Sequence, residues 1–317
     1  MDNLIAKIKD KRPNIKSSSL NMYLNNLKKV NKELGSENLF SLDILENKEK
    51  IDEFLKDRSD NTKKNYYASI VVLLLTDEKK YEKLIEEYRL EMELLGQKLD
   101  KIYRSQEKTE TQSKNWSSLE NLQKIVNEYK KEIDRKGLFK KTSLTSREFD
   151  LVQKYVVGML YVGDPKNNPP LRSDYIMKVL HISDYNKLSE DNLKKNYLVV
   201  KSKNKKFFHL GEYKTEGQYG VKIIPLGSKL NSVMNKWLNV NKTGDLLIST
   251  QTSKPMTPNQ LTKYVIKTFK HNNKSIGISM IRHIVITELF PPKLKEKEET
   301  ADLMGHSANQ QDLYSKK

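Results

Sequence analysis

The spacing of apolar residues departs from a helical pattern in one stretch of this chain of 317 residues, and that stretch limits the folds open to it. Helical spacing dominates, as in residues 17–34, where Leu20, Leu24 and Leu27 recur on one stripe behind serines that can cap a helix. Between residues 197 and 226 the pattern changes to short β-prone runs, YLVV, KKFFHL and VKIIPL, separated by polar segments. The sequence therefore predicts a mainly α fold with one small antiparallel β-sheet, in the α+β class.

A polar segment divides the helical pattern into two parts. Residues 104–115, RSQEKTETQSKN, contain no apolar residue and no periodicity, which is typical of a linker. We therefore expect a helical domain over residues 1–104, a linker over 105–115 and a second domain over 116–317. The predicted helices cover residues 17–34, 48–56, 61–75, 81–103, 117–136, 146–162, a shorter stretch from about 173, 230–238 and 259–270, with helical spacing continuing toward the C-terminus.

The charge of the chain indicates a polyanionic partner. Lys and Arg number 58 against 41 Asp and Glu, which gives a formal net charge of +17. Nucleic acid is the first candidate and a membrane surface is its rival, but the apolar runs fall far short of the roughly 20 residues that span a bilayer. Scattered charges in the first ten residues argue against a secretion signal, and cysteine is absent. We expect an intracellular protein that spans no membrane, with cytoplasm and nucleus both open.

The residue inventory excludes several kinds of chemistry. Without Cys, and with five His that lack zincin spacing, the sequence predicts no metal site. It contains no P-loop, no G-x-G-x-x-G after a strand and no G-x-S-x-G elbow, so no nucleotide cofactor or serine hydrolase is predicted. Only eight of the basic residues are Arg, and after position 150 only Arg172 and Arg282 remain. Arg can grip a phosphate with two aligned donors, so these two are candidates for phosphate binding.

Four short segments of the second domain, followed by a tyrosine, resemble the catalytic boxes of the tyrosine recombinases, the phage-integrase family. The family signature runs Arg, Lys, His-x-x-Arg, Gly-His and a nucleophilic Tyr. The matching segments are PPLRSDY at 169–175, EYKT at 212–215, SMIRH at 279–283 and LMGHS at 303–307, followed by Tyr314. The Lys and Asn bias and the form of the first box resemble versions from large DNA viruses or mobile elements.

The resemblance implies metal-independent cleavage and rejoining of double-stranded DNA through a 3′-phosphotyrosine intermediate. Arg172 and Arg282 would hold the scissile phosphate, and Lys214 would protonate the leaving 5′-oxygen. His306 would assist proton transfer or hold the phosphate, and Tyr314, eight residues later and one fewer than is usual in the family, would be the nucleophile. The resemblance also implies that a helical core-binding domain and the catalytic domain form a clamp on DNA, as a dimer on each core site and a tetramer in synapsis.

Three further positions depart from the family pattern or accompany it. Ser279 stands where His is expected, so a hydroxyl would replace a stronger donor to the phosphate. His283 is common in the family but lies about 100° around a helix from Arg282, which suits a supporting or structural role. Asp174 follows Arg172 by two residues, where the family's acidic residue usually follows by three, and it could buttress an Arg.

Several alternatives remain open at this stage. A type IB topoisomerase would share the same active-site chemistry, and an inactive DNA-binding relative would account for Ser279. The role of Lys214 is also open, because five other lysines lie nearby and a Lys-rich hairpin could simply contact the phosphate backbone of DNA. These lysines are Lys201, Lys203, Lys205, Lys206 and Lys222.

Overall fold

The structure is a computed structural model that describes residues 1–290, 294–305, 307, 310 and 314, although it does not describe the side chains of 294–298. Contacts within the chain divide it into two compact units, Met1–Ser105 and Gln106–Lys317, called unit 1 and unit 2 below. The described residues are mainly helical, with one four-stranded sheet in unit 2. The predicted α+β class is confirmed.

Unit 1 is built from helices packed around one apolar core. The stripe predicted from the sequence is buried, since Leu20, Leu24 and Leu27 are all 9% exposed or less. It packs against a helix whose residues 66–74 are almost all buried, so that helix lies at the centre of the unit. The sequence did not predict the first helix. The helices of unit 1 are α1 Asp2–Lys11, α2 Ser17–Glu33, α3 Lys48–Leu55, α4 Asp60–Leu74 and α5 Glu78–Arg104.

In unit 2, helices precede and follow the strands along the chain. Its longest predicted helices lie close to their expected bounds, and α8 continues as a π-helical turn, Met159–Gly163. The helices of unit 2 are α6 Glu110–Asn115, α7 Leu119–Arg135, α8 Ser146–Gly158, α9 Ile182–Tyr185, α10 Glu190–Leu193, α11 Glu216–Tyr219, α12 Ser228–Val240, α13 Pro258–Thr268, α14 Ile278–Leu289 and α15 Leu294–Leu303. The strands are β1 Lys178–His181, β2 Asn196–Ser202, β3 Lys205–Leu210 and β4 Lys222–Pro225.

The sheet differs from the prediction in one strand. Its order is β1-β2-β3-β4, with β2, β3 and β4 antiparallel as expected, but β1 pairs parallel with β2 and makes the sheet mixed. The helix predicted from about residue 173 is therefore wrong. A strand forms there because β1 has partners on both sides: it pairs with β2, and the Val179 amide donates to the Gly244 carbonyl at 2.8 Å.

The predicted linker is also partly wrong, because residues 106–115 belong to unit 2 and contain α6. Thr109 and Gln112 form a reciprocal capping box that stabilises this short helix. At its end, the side-chain oxygen of Asn115 accepts a hydrogen bond from the Ser275 amide at 2.6 Å. The segment lacks an apolar face, so periodicity missed it, and polar contacts hold it in place.

The turn between β2 and β3 presents three exposed lysines, Lys201, Lys203 and Lys205, and is called the lysine turn below. The next residue, Lys206, is buried, and its ammonium group donates to the Lys203 carbonyl at 2.9 Å and to Asn231 of α12 at 3.2 Å. Burial lowers the pKa of Lys206. A buried cation thus fastens this turn to α12 through neutral oxygen atoms.

Candidate active site

Arg172 lies in the loop between the π-helical turn and β1, where two buried tyrosines fix the backbone. The Tyr161 hydroxyl donates to the Arg172 carbonyl at 2.8 Å, and the Tyr175 hydroxyl donates to a carbonyl of the π-helical turn at 2.9 Å. Nη1 of Arg172 donates to the Gly305 carbonyl at 3.2 Å. Nη2 is buried and has no hydrogen-bond partner among the described residues, so its N–H group is available to donate to an oxygen atom of a ligand.

Arg282 projects from α14 into the interior, with 1% of the residue exposed. Its Nη1 donates to the Pro170 carbonyl at 2.7 Å and its Nη2 to the Met304 carbonyl at 3.4 Å, while Nε lacks a partner within the described part of the chain. Burial lowers the pKa of Arg282, and the neighbouring Tyr314 opposes that effect. Neutral carbonyl groups therefore orient this guanidinium, while the negative charge of the nearby Asp174 carboxylate favours its charged form.

Tyr314 lies against both arginines. Its ring centroid is 5.1 Å from Cζ of Arg282. Burial alone would raise the pKa of the Tyr314 hydroxyl, but the positive charges of Arg282 and Arg172 outweigh it, so the pKa lies below the ordinary value of 10.0. A tyrosine whose anion is stabilised by two cations is better suited to nucleophilic attack than an ordinary one.

His283 supports Tyr314 more directly than its helical position predicts. Its ring lies 4.7 Å from the Tyr314 ring between centroids, and its Nδ1 lies 2.7 Å from the Tyr314 carbonyl oxygen. Because a carbonyl only accepts, Nδ1 must carry the proton of this hydrogen bond. Nε2 faces the amide nitrogen of Gln112 at 3.5 Å. His283 therefore links α6 to the backbone of the tyrosine.

Lys214 occupies the connection between β3 and β4 and is exposed. Its two sequence neighbours reach the site: Thr215 donates from its hydroxyl to the Gly305 carbonyl, and the Tyr213 ring packs against Gly305. The same carbonyl accepts from Arg172, so the loop that carries Lys214 adjoins the arginine cluster. The Lys214 ammonium group makes no hydrogen bond or ion pair with any described residue.

The remaining predicted residues differ in placement. Asp174 accepts from the backbone amide of Arg172 at 3.2 Å rather than from a guanidinium group, and burial raises its pKa above 3.8 against the opposing charge of Arg172. Ser279 is exposed in the first turn of α14, with no described contact to Arg282 or Tyr314. His306 lies outside the described residues.

Sequence reasoning missed the carbonyl groups that organise this cluster. Gly305 adopts a left-handed backbone conformation with φ of +70°, and a Cβ there would lie 3.3 Å from the Tyr213 ring. In the sequence, the glycine of the LMGHS segment was the only indication of this backbone conformation. Thr215 follows Lys214 in the EYKT segment, but no role was predicted for it. Lys222, which contacts Asp302, could not be separated from the other lysines by sequence pattern.

Comparisons with protein-family models, with curated proteins and with solved structures found no match to this chain. Within the described part of the chain, no group of three or more His, Asp or Glu side chains is arranged to hold a metal ion. None of the described helices combines the length and the apolar character needed to cross a membrane. The geometry of the cluster is therefore the main evidence about what this chain does.

Proposed function

We propose that this chain is a DNA strand transferase of the tyrosine-recombinase type. One observation carries the proposal: two buried or half-buried guanidinium groups, Arg172 and Arg282, lie against a half-buried tyrosine whose pKa they lower. Each guanidinium retains a buried nitrogen without a partner among the described residues, as a site for phosphate oxygens requires. The resemblance of the sequence segments to the family boxes supports the same conclusion.

The proposed reaction is a reversible transesterification. The Tyr314 oxygen attacks the scissile phosphorus while its proton passes to a base, a role that the family resemblance implies for His306. A phosphotyrosine bond forms at the 3′ end, and the bond to the 5′-oxygen breaks. Arg172 and Arg282 stabilise the nonbridging oxygens of the pentacoordinate transition state. Lys214 delivers a proton to the departing 5′-oxygen. Attack by a 5′-hydroxyl on the phosphotyrosine reverses the steps and reseals DNA.

The proposed substrate is double-stranded DNA, which the net charge of +17 supports. We further propose that unit 1 is a core-binding domain, that the two units close on the duplex as a clamp, and that the chain acts as a dimer on a core site and a tetramer in synapsis. These assembly steps depend on the family resemblance and on the division of the chain into two units.

The test is trapping of a covalent intermediate. The full chain is incubated with a pool of duplexes of randomised sequence, each nicked so that the 5′-hydroxyl fragment dissociates after cleavage, and adducts are recovered under denaturing conditions and sequenced. Wild type should yield an adduct enriched in one sequence, and Tyr314→Phe should yield none while binding DNA within a few-fold of wild type. Tyr23→Phe, a change at another half-buried tyrosine, is the matched control and should retain the adduct.

The other outcomes identify the alternatives. An adduct without sequence enrichment, together with relaxation of any supercoiled plasmid, would indicate a type IB topoisomerase. Absence of an adduct despite DNA binding would indicate an inactive relative. An adduct that persists in Tyr314→Phe would assign the nucleophile to a different tyrosine.

A further inference from the structure

The C-terminal end of α15 is fastened to the start of β4 by an ion pair. Nζ of Lys222 lies 2.8 Å from Oδ1 of Asp302 and also donates to the Asp302 carbonyl. The Lys222 side chain is 9% exposed and the Asp302 side chain 65%. The ammonium group also lies 4.8 Å from the ring centroid of Tyr219 and 5.9 Å from that of Tyr213. This cation is largely removed from water and has one carboxylate partner among the described residues.

The same ion pair closes the loop that carries Lys214. Lys222 ends the β3–β4 connection, and the Tyr213 hydroxyl near its start donates to the Gly220 carbonyl at 2.6 Å. Asp302 lies three residues before Gly305, which receives the Thr215 hydroxyl and the Tyr213 ring. The loop is thus attached to one short segment, residues 302–305, at both of its ends.

Lys214 depends on these attachments for its position, because its own side chain is exposed and has no described partner. Tyr314 depends on them less, since it is held by His283 and by Arg282. The shorter hydrogen bond of Arg282, at 2.7 Å, goes to the Pro170 carbonyl outside residues 302–305, and only the longer one, at 3.4 Å, goes to Met304. A general acid must approach its target oxygen to within about 2.6–3.2 Å, so a loop displaced by an ångström would lose proton transfer. Loosening the ion pair should therefore impair protonation of the leaving group before it impairs nucleophilic attack.

We propose that Lys222 and Asp302 are positioning residues that hold the Lys214 loop at the arginine–tyrosine cluster for protonation of the leaving group. The inference rests on the proposed function and extends it to residues that no sequence box contains. Asp302 is the better residue to change, because its side chain is mostly exposed and Asn occupies nearly the same volume.

The experiment uses the full chain and two nicked duplexes of the enriched sequence, identical except that sulfur replaces the bridging 5′-oxygen at the cleavage site in one of them. A thiolate leaves without protonation because thiol pKa values are near 8.5, so the sulfur substrate reports attack without the general acid. Asp302→Asn should slow cleavage of the oxygen substrate about tenfold, between the effects of an exposed and a buried ion pair, and should leave the sulfur substrate within about twofold. Asp302→Glu, which keeps the charge, should recover most of the lost rate.

The matched control is Asp191→Asn, which removes another 2.8 Å ion pair of unit 2, with Lys194, and should alter neither rate. Equal slowing of both substrates by Asp302→Asn would overturn the inference, because it would assign the ion pair to folding or to the tyrosine. An unchanged rate on the oxygen substrate would overturn it too. If wild type cleaves neither substrate, the proposed function itself fails, and the inference fails with it.

Discussion

Replacing Arg172 with Lys tests whether two aligned donors, rather than positive charge alone, are needed at the cluster. In the structure Nη1 of Arg172 is committed to the Gly305 carbonyl at 3.2 Å, while Nη2 is buried and unpaired within the described residues. Lys keeps the charge but offers one ammonium group, which cannot hold the Gly305 carbonyl and a phosphate oxygen in the geometry of a planar fork. The substitution therefore removes one preorganised donor.

The expected loss follows from the role of that donor. Removal of a single preorganised donor to a transition-state oxyanion generally costs about 100- to 1,000-fold in rate, or roughly 2.7–4 kcal/mol. Arg172→Lys should therefore slow adduct formation by about that factor. Affinity for the duplex should stay within a few-fold, because binding depends mainly on charge and the charge is retained.

The assay is single-turnover adduct formation on the nicked duplex at saturating protein, with affinity measured separately at the same salt concentration. Arg147→Lys, a change at an exposed arginine of the same unit, is the matched control and should behave as wild type. A cleavage rate for Arg172→Lys within a few-fold of wild type would refute the reasoning, because Arg172 would then contribute only its electrostatic field.

Three further predictions address ionisation and DNA contact. Adduct formation should rise with pH as the Tyr314 hydroxyl ionises, with the midpoint of the rise below the ordinary pKa of 10.0. Arg172→Met should move the rise to higher pH in a pH–rate profile, because it removes a cation that lowers this pKa. Burial raises the folded-state pKa of Asp174 above 3.8, so the folded state loses stability as this carboxyl group ionises with rising pH. In calorimetry, Asp174→Asn should therefore raise Tm at pH 7 but not near pH 4. A lower Tm at pH 7 would contradict this prediction. Changing all three residues of the lysine turn to Gln should reduce the slope of log affinity against log salt by up to about 2.7, at roughly 0.9 per phosphate contact, and an unchanged slope would exclude the turn from DNA binding.

Periodicity predicted the elements whose apolar faces are buried. The stripe of α2 and the three antiparallel strands are of this kind, because burial imposes a regular spacing on the residues that pack inside. It failed for α6 and β1. Polar capping and side-chain hydrogen bonds hold α6, and the tertiary partner at Gly244 holds β1, so neither leaves a strong periodic signal.

The sequence likewise predicted some residues of the candidate site and missed others. Family boxes identified Arg172, Arg282 and Tyr314, which the structure brings together, and Lys214, whose loop adjoins them. They did not reveal that His283 binds the Tyr314 backbone. The position of His283 on its helix shows that it points away from Arg282, but it does not show which other segment of the chain lies on that side. Backbone carbonyls such as that of Gly305 are invisible to sequence patterns, since every residue has one.

The carbonyl groups that orient Arg172 and Arg282 have a consequence for heat resistance. They fix the direction of the guanidinium groups without neutralising them, and the nearby Asp174 supplies at most one negative charge against two cations, so the folded chain bears the cost of the remaining positive charge in a poorly hydrated place. Under the proposed function, activity and stability are therefore opposed at this point, and a chain selected only for a high melting temperature would lose one of these arginines early. On the proposed function, a phosphate between them repays the cost, because a ligand that binds only the folded state stabilises it. A bound duplex would then stabilise the folded state of unit 2 as well as being its substrate.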